Sequence, residues 1–82
     1  MLKRPAYARD QKLLNFLAKR VKELRLEHGF TQEELANDAD IAIAQLKRIE
    51  SGTVNTSVSS LYRISKALKV KFETLMDGVN KI

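Results

Sequence analysis

The 82-residue sequence contains no cysteine and no tryptophan, and it has one histidine, one proline and three glycines. Without cysteine the chain can form neither disulfides nor thiolate metal sites, and one histidine cannot make a metal centre alone. No apolar run approaches the roughly 20 residues that a membrane-spanning helix needs, and no signal-peptide pattern opens the chain. We therefore expect a cytoplasmic protein that uses no metal and no other cofactor.

The same absences argue against an enzyme. The sequence has no cysteine nucleophile, no glycine-rich loop of the kind that holds phosphates, and no pair of acidic residues set in a plausible cleft. No class of reaction finds its required groups here, so catalysis is not expected.

The chain is basic, but its basic residues are unevenly distributed. The net charge is +5 and the pI is near 9.8, which favours a polyanionic partner. Residues 1–28 contain eight lysines and arginines against three acidic residues, residues 29–52 two against five, and residues 53–82 five against two. If DNA is bound, most of the attraction to phosphate must come from the two flanks and not from the acidic centre.

Apolar residues recur at helical spacing and nowhere alternate as in a strand, so the sequence predicts an all-α fold. Short helices joined by loops of two to five residues pack as a compact bundle, and the long first helix is expected at its centre. The predicted helices span about residues 10–28, 32–38 and 43–50, then a helix capped by Ser57, and a last short helix at about 72–77.

The stretch that follows the first helix is the most informative. Gly29 is a helix stop signal, and Thr31 and Glu34 then form a capping box, in which a hydroxyl and a carboxylate each satisfy an amide at a helix start. Phe30 and Leu35 occupy the two positions of a hydrophobic staple around that cap. A second short helix begins a few residues later and is closed by a glycine, so the sequence predicts two short helices joined by a tight turn.

With this helix pair the sequence resembles the lambda repressor and Cro-type (XRE-like) helix-turn-helix family over about residues 17–75. The resemblance implies a compact five-helix bundle in which helices 2 and 3 form the helix-turn-helix. Residues 1–9, which contain Pro5 and three basic residues, are predicted to form a flexible basic arm, followed by the DNA-binding domain at 10–77 and a C-terminal tail at 78–82. The resemblance is carried by Leu24-Arg25, the stretch from Gly29 to Ala36, Ala39, Ile41, Ile49-Glu50, Gly52, Leu61, Ile64, Ala67-Leu68 and Val70.

The resemblance also implies a set of DNA contacts. In the family the glutamine that opens helix 2 meets the phosphate backbone, and Gln32 holds that place here. The first exposed residues of helix 3 read base edges in the major groove, and the loop after Gly52 meets the backbone. Arg25 and Glu50 hold the places of a structural ion pair in the interior. The positions implied to bind DNA are Gln32, Ala42, Ile43, Ala44, Lys47, Arg48, Ser51, Thr53 and Asn55.

Two positions around the turn depart from the family pattern. Ala42 stands where a serine or threonine usually caps helix 3, so the cap must come from elsewhere, and Asp40 is the candidate. Asp40 itself replaces the usual turn glycine, although aspartate tolerates the left-handed conformation better than most residues. The reading positions are also poor in hydrogen-bonding groups. Ile43 and Ala44 can touch thymine methyl groups, and only Arg48 is a strong candidate for bidentate contact with guanine.

Several side chains allow more than one interpretation. The exposed Ile43 is a neutral change, a thymine contact or part of a protein-facing patch. Lys19, Arg20 and Lys22 on helix 1 are either a solvated face or a DNA contact. His28 lies in the last turn of helix 1, where a cation favours the helix dipole.

Two functions follow from the sequence. The first is a sequence-specific transcriptional regulator, most simply a repressor, that binds a palindromic operator as a homodimer through two helices in major grooves about 34 Å apart. Residues 70–82, which carry more apolar side chains than a terminal turn buries, are the expected dimer interface. The alternative is an antitoxin or an accessory module whose helix 3 contacts a protein partner, motivated by the acidic helix 2 and the apolar Ile43 and Ala44.

Overall fold

A computed structural model describes residues 10–82 of the chain, and the predicted arm at residues 1–9 lies outside them. Within the described residues the secondary structure is helical, and no strand occurs. The all-α bundle that the sequence predicts is thereby confirmed. Its helices are α1 (Gln11–Glu27), α2 (Gln32–Asp38), α3 (Ile43–Ser51), α4 (Val58–Ala67) and α5 (Phe72–Leu75), followed by a 3₁₀ helix at Val79–Lys81.

Local signals fix both ends of α1. The side chain of Asp10 caps its start and accepts a hydrogen bond from the backbone N–H of Leu13 at 3.1 Å. Gly29 follows the C-cap residue His28 with a φ of +75°, a left-handed conformation that L side chains adopt at a cost. The chain can therefore turn sharply into α2.

The predicted capping box is present at the start of α2. The hydroxyl of Thr31 accepts from the backbone N–H of Glu34 at 3.1 Å, and the carboxylate of Glu34 accepts from the N–H of Thr31 at 2.9 Å. The backbone N–H of Thr31, and then its hydroxyl, lower the pKa of the Glu34 carboxyl below its usual value. The ionised carboxylate is thus the form that holds this helix end.

Glu34→Gln is expected to lower the melting temperature at pH 7, and the loss should shrink in acid. Because the pKa of Glu34 is depressed on folding, its contribution is complete above the usual value of 4.5 and disappears as the pH falls through the lower folded value. Circular dichroism melts of both proteins between pH 7 and about pH 3 measure the effect. Glu33→Gln is the matched control, because Glu33 shares the first turn but makes no capping bond. Equal losses in the two variants, or a loss independent of pH, would contradict the assignment.

One hydrophobic core holds the helices together. α1 packs against α3 and α5, while α2 packs against α3 and α4. Each fully buried leucine contributes roughly 1.5–3 kcal/mol relative to an exposed one, so these positions dominate the stability of the fold. The core consists of Leu17, Val21, Leu24, Leu35, Ala36, Ala39, Leu46, Ile49, Leu61, Ile64, Leu68 and Leu75.

The turn between α2 and α3 differs from the prediction in one respect. Asp40 adopts the left-handed conformation of the usual glycine, with a φ of +55°. Ala42 is the N-cap of α3 and offers no side-chain cap, and the expectation that Asp40 would supply one is wrong. Asp40 lies in the turn itself, and its backbone carbonyl oxygen accepts a hydrogen bond from Arg63 at 3.4 Å. The first backbone N–H groups of α3 therefore donate no hydrogen bond to a side chain of the turn.

The C-terminal part is more structured than the sequence predicts. The last helix was expected over 72–77, but α5 ends at Leu75, and Met76 is its C-cap. Gly78 then takes a φ of +92°, and the predicted tail at 78–82 contains the 3₁₀ helix. Arg20 donates to the carbonyl oxygen of Thr74 at 2.7 Å and so satisfies a group at the end of α5.

Candidate nucleic-acid interface

The second helix of the pair presents one continuous exposed surface. Its other side is buried through Leu46 and Ile49, which are 0% and 3% exposed. The exposed residues recur at steps of one, three and four, which places them on the same side of an α-helix. We call this surface the α3 face; it consists of Ile43, Ala44, Lys47, Arg48 and Ser51, with the exposed cap residue Ala42 at its start.

One polar side chain of α3 is turned away from this face. Gln45 is half-buried and donates from Nε2 to the hydroxyl of Ser60 on α4 at 2.8 Å. Ser60 is itself tied to the α4 cap residue Ser57 at 3.0 Å. Gln45 therefore fixes α3 against α4. The hydrogen-bonding groups left on the α3 face are those of Lys47, Arg48 and Ser51.

A buried ion pair supports the base of the α3 face. Arg25 of α1 donates from Nε to Glu50 Oε2 at 2.7 Å and from Nη2 to Glu50 Oε1 at 3.1 Å. A third donor, Arg25 Nη1, meets the carbonyl oxygen of Phe30 at 2.9 Å. The two side chains are 9% and 4% exposed. The bidentate geometry ties α1 and the entry to α2 to the last turn of α3.

Gln32 joins the same network. Its Nε2 donates to Glu50 Oε1 at 3.2 Å, so one amide hydrogen is used inside the protein. The other hydrogen and the amide oxygen remain for an outside partner. Gln32 is half-buried at the first position of α2 and lies beside the α3 face in a fixed orientation. A side chain held in this way loses little conformational entropy when it binds.

The turn after α3 is held by one carbonyl oxygen. The carbonyl of Arg48 accepts from the hydroxyl of Ser51 at 3.0 Å and from the backbone N–H of Thr53 at 3.1 Å. The hydroxyls of Ser51 and Thr53 lie 2.9 Å apart. The hydroxyl groups of Ser51 and Thr53 thus stabilise the turn. They are the same groups that the resemblance implies to contact phosphate. Thr53 and Asn55 are exposed beyond it.

A clamp from α1 onto this turn was missed in the sequence. Gln11 donates from Nε2 to the carbonyl oxygen of Gly52 at 2.9 Å and to Asn15 Oδ1 at 2.8 Å. Gly52 has a φ of +71°, and a Cβ at this position would lie 3.0 Å from Asn15 Oδ1. In the sequence the sign of this contact is the i, i+4 spacing of the amide side chains of Gln11 and Asn15 beside Leu14. That spacing is equally consistent with a solvent-exposed helix face.

Lys22 is a further residue that the structure brings to the site. A shallow depression beside the α3 face is lined by both Lys22 of α1 and Lys47 of α3, together with Gln32. The sequence left Lys19, Arg20 and Lys22 as equal candidates. Arg20 instead donates to the end of α5, and Lys19 lines a different depression together with Arg20 and Asp77. Of the three candidates, Lys22 is therefore the one that lies next to Gln32.

Other kinds of site find no support in residues 10–82. No group of histidine, aspartate or glutamate side chains there is placed to hold a metal ion. None of the helices in that range is both long enough and apolar enough to cross a membrane. His28 is exposed at the end of α1.

A five-helix bundle that exposes one face of the third helix, with two cations on it, has the form of a helix-turn-helix protein. The sequence matches the helix-turn-helix family HTH_3 over residues 21–75. This chain therefore belongs to the XRE-type helix-turn-helix family of DNA-binding transcriptional regulators, which is not a family of enzymes. The family and the lambda repressor-like fold expected from the sequence are both confirmed.

Individual relatives agree with this assignment. Control protein C.BamHI of Bacillus amyloliquefaciens is 37% identical over 59 residues, covering 71% of this chain and 73% of that protein. Antitoxin HipB of Escherichia coli is 34% identical over 64 residues, covering 78% of this chain and 67% of that protein. Other curated relatives are longer, and the chain spans 57% and 49% of the length of two of them.

A solved complex with DNA has the same fold. The structure of C.Esp1396I bound to a 19 base pair DNA duplex matches with a TM-score of 0.77 at 32% identity. The match covers 84% of this chain and 92% of that chain. The fold of this chain is therefore one that a related protein uses on duplex DNA.

Proposed function

We propose that this protein is a sequence-specific transcriptional regulator, acting as a repressor, that binds a palindromic operator as a homodimer. The α3 face carries the proposal. It is exposed along its whole length, it contains Lys47 and Arg48, and it lies on a helix fixed from behind by the Arg25–Glu50 pair. A helix presented in this way fits the major groove of B-DNA.

The residues around the face divide into two roles. Arg48 and Lys47 contact base edges, because they project from the exposed side of α3 and donate hydrogen bonds to guanine acceptors. Gln32 and Lys22, at one edge of the face, contact phosphate, and the exposed Thr53 and Asn55 do so beyond the turn. The ion pair of Arg25 and Glu50 acts only by holding these elements in place.

A dimer is required to place two such faces on one operator. The sequence predicts the interface at residues 70–82, where Phe72 and Met76 are partly buried against the core. Within that segment Ile82 is 55% exposed, and further exposed apolar surface lies on α4, where Val58 is 72% and Tyr62 51% exposed beside a groove that Phe72 also lines. We call Val58, Tyr62 and Phe72 the α4 patch, and we propose that it meets the same patch of a second copy.

Charges of both signs surround the α4 patch, where Lys66 also lies 5.3 Å from the centroid of the Tyr62 ring. Lys71 and Glu73 are both exposed and flank Phe72 on either side. A two-fold axis through the patch brings the lysine of one subunit toward the glutamate of the other, and such an interface pairs with itself. Residues of one sign alone would repel their own copies.

Val58→Asp is expected to raise the dissociation constant of the dimer at least tenfold, because an unpaired carboxylate is expensive in an apolar interface. Sedimentation equilibrium measures the effect, and operator affinity should fall with it. Leu26→Asp is the matched control, since Leu26 is 60% exposed on α1, away from the α4 patch. A dimer that is unchanged by Val58→Asp, or equally weakened by both variants, would rule out this interface.

Selection from a random pool of duplex DNA at two salt concentrations tests the proposed function. We expect enrichment of a two-fold-symmetric site with half-sites about one helical turn apart. Binding without sequence preference that disappears as the salt concentration rises would contradict the proposal. In that case only the lysines and arginines of the flanks would engage phosphate.

A second function is favoured by the likeness to an antitoxin, HipB. Glu33, Glu34 and Asp38 are exposed on α2, and Ile43 is 39% exposed, so this side of the helix pair also suits a basic protein partner. The pool selection separates the two functions. A module devoted to a protein partner yields no symmetric site.

A further inference from the structure

We propose that the first turn of α3 recognises the methyl groups of thymine, and that Lys47 or Arg48 reads a guanine roughly one or two base pairs further along. This inference rests on the proposed function and specifies the bases within each half-site. It depends on which chemical groups are exposed on the α3 face and on which groups of α3 are instead used in contacts inside the protein.

Only hydrocarbon side chains occupy the start of the face. Ala42, Ile43 and Ala44 are all exposed, and 39% of the surface of Ile43 is accessible. Apolar surface gains free energy when it is removed from water against another apolar group. At base edges in the major groove the group of this kind is the C5 methyl of thymine.

Apart from the hydroxyl of Ser51, the side chains of the α3 face carry no hydrogen-bond acceptor. The amino groups of adenine and cytosine are donors, so a protein reads them with an amide or carboxylate oxygen. The only amide of α3, on Gln45, is turned to Ser60 of α4. The only carboxylate of α3, on Glu50, is 4% exposed and bound by Arg25. The face is left without an amide or carboxylate with which to read adenine or cytosine.

Donors follow one turn after the apolar residues. Lys47 and Arg48 carry only donors, so they select acceptors, and guanine offers two adjacent ones at O6 and N7. Ser51 is already engaged, because its hydroxyl donates to the carbonyl of Arg48. Arg48 is the better match for guanine, since its guanidinium can meet both acceptors at once.

The geometry of the helix sets the distance between the thymine contact and the guanine contact. Four residues separate Ile43 from Lys47, which corresponds to about 6 Å along an α-helix. Base pairs of B-DNA are stacked about 3.4 Å apart along the DNA axis, and a helix in the major groove is inclined to that axis, so this rise covers roughly one or two base pairs. Each half-site is therefore expected to hold thymine under the first turn of α3 and guanine roughly one or two base pairs away.

Replacing thymine by deoxyuridine tests the inference, because it removes the methyl group and keeps every hydrogen-bonding group. Each thymine of the selected operator is replaced in turn in both half-sites, and the dissociation constant of the full chain is measured by fluorescence anisotropy. Under the first turn of α3 we expect a loss of about fourfold per methyl group, or roughly 15-fold with both half-sites changed. Ile43→Ala should abolish the penalty at one of these positions, since the contact is then already lost.

Leu26→Ala is the matched control variant. Leu26 is 60% exposed on α1, so this substitution also removes an exposed apolar side chain, but outside α3, and the deoxyuridine penalty should stay unchanged. The inference is wrong if the methyl groups have no effect on affinity, if the half-sites contain no thymine, or if Ile43→Ala retains the full penalty. A symmetric operator would still support the proposed function in each of these cases. Failure to select any symmetric site overturns both.

Discussion

Replacing Glu50 with alanine should lower the free energy of unfolding by about 3–5 kcal/mol, because it leaves a buried guanidinium without its carboxylate. Arg25 loses two hydrogen bonds at 2.7 and 3.1 Å, and Gln32 loses its acceptor at 3.2 Å. Since domains of this kind are stable by about 5–15 kcal/mol, the variant should be close to unfolding at ordinary temperatures. Urea titration followed by circular dichroism measures the change.

The double variant Arg25→Met with Glu50→Leu separates charge pairing from packing. Apolar replacements of similar volume often restore the stability that either single change removes, so most of the loss should be recovered. Its affinity for DNA should nevertheless stay below that of the natural chain, because Gln32 has lost the carboxylate that fixes its side chain. A loss below about 1 kcal/mol in Glu50→Ala would show that the pair is not a buried support of the α3 face.

Arg48→Ala is expected to weaken operator binding by about 1–3 kcal/mol per half-site, and so by roughly 2–6 kcal/mol for a dimer. Arg48 is exposed, and it is its carbonyl oxygen that holds the turn after α3. Removing the guanidinium should therefore change stability by less than about 0.5 kcal/mol. Anisotropy titrations on the operator and on a scrambled duplex of equal composition give the specific and non-specific affinities.

Lys22→Ala is the matched loss of one positive charge at the proposed phosphate contact. It should weaken binding to the operator and to the scrambled duplex alike, and it should reduce the salt dependence by about one counterion per subunit. Arg48→Ala should act mainly on the operator. If Arg48→Ala weakened both duplexes equally, Arg48 would be a phosphate contact and would not read bases.

The elements around the helix pair could be predicted because each helix end carries its own local signal. The capping box of Thr31 and Glu34 and the left-handed Gly29 set the bounds of α2 and the end of α1 to within a residue. The end of α5 could not be predicted in this way. It depends on the backbone of Gly78 and on the contact between Arg20 and Thr74, residues 54 positions apart in sequence.

The contacts that hold the candidate interface in place could not be predicted for the same reason, because they join residues that are far apart in the sequence. Gln45 and Ser60 are 15 positions apart, while Gln11 and the carbonyl of Gly52 are 41 apart. From the sequence alone, a polar residue on a predicted helix is interpreted as solvent-exposed, because the position of the neighbouring helix is unknown. Only the structure could show that Gln45 is withdrawn from the α3 face, which leaves that face without a side-chain amide.

The pattern alone located the exposed apolar surface only in part. The run of apolar residues at 70–82 indicated an interface there, yet Phe72 and Met76 pack against the core. Ile82 of that run is exposed, and so are Val58 and Tyr62, at i and i+4 on α4, which the pattern did not single out. An amphipathic pattern identifies which residues can be buried, but the packing of α5 decides which of them are.

Site-directed disulfide cross-linking to DNA tests most directly whether the start of α3 lies in the major groove. Because the chain has no cysteine, Ala44→Cys and Asn37→Cys each introduce a single thiol, the first on the α3 face and the second on the exposed side of α2. The DNA is the selected operator with a thiol tethered to a base on its major-groove edge. We expect cross-linking from Ala44→Cys at both half-sites and none from Asn37→Cys. Cross-linking from Asn37→Cys without any from Ala44→Cys would contradict the account.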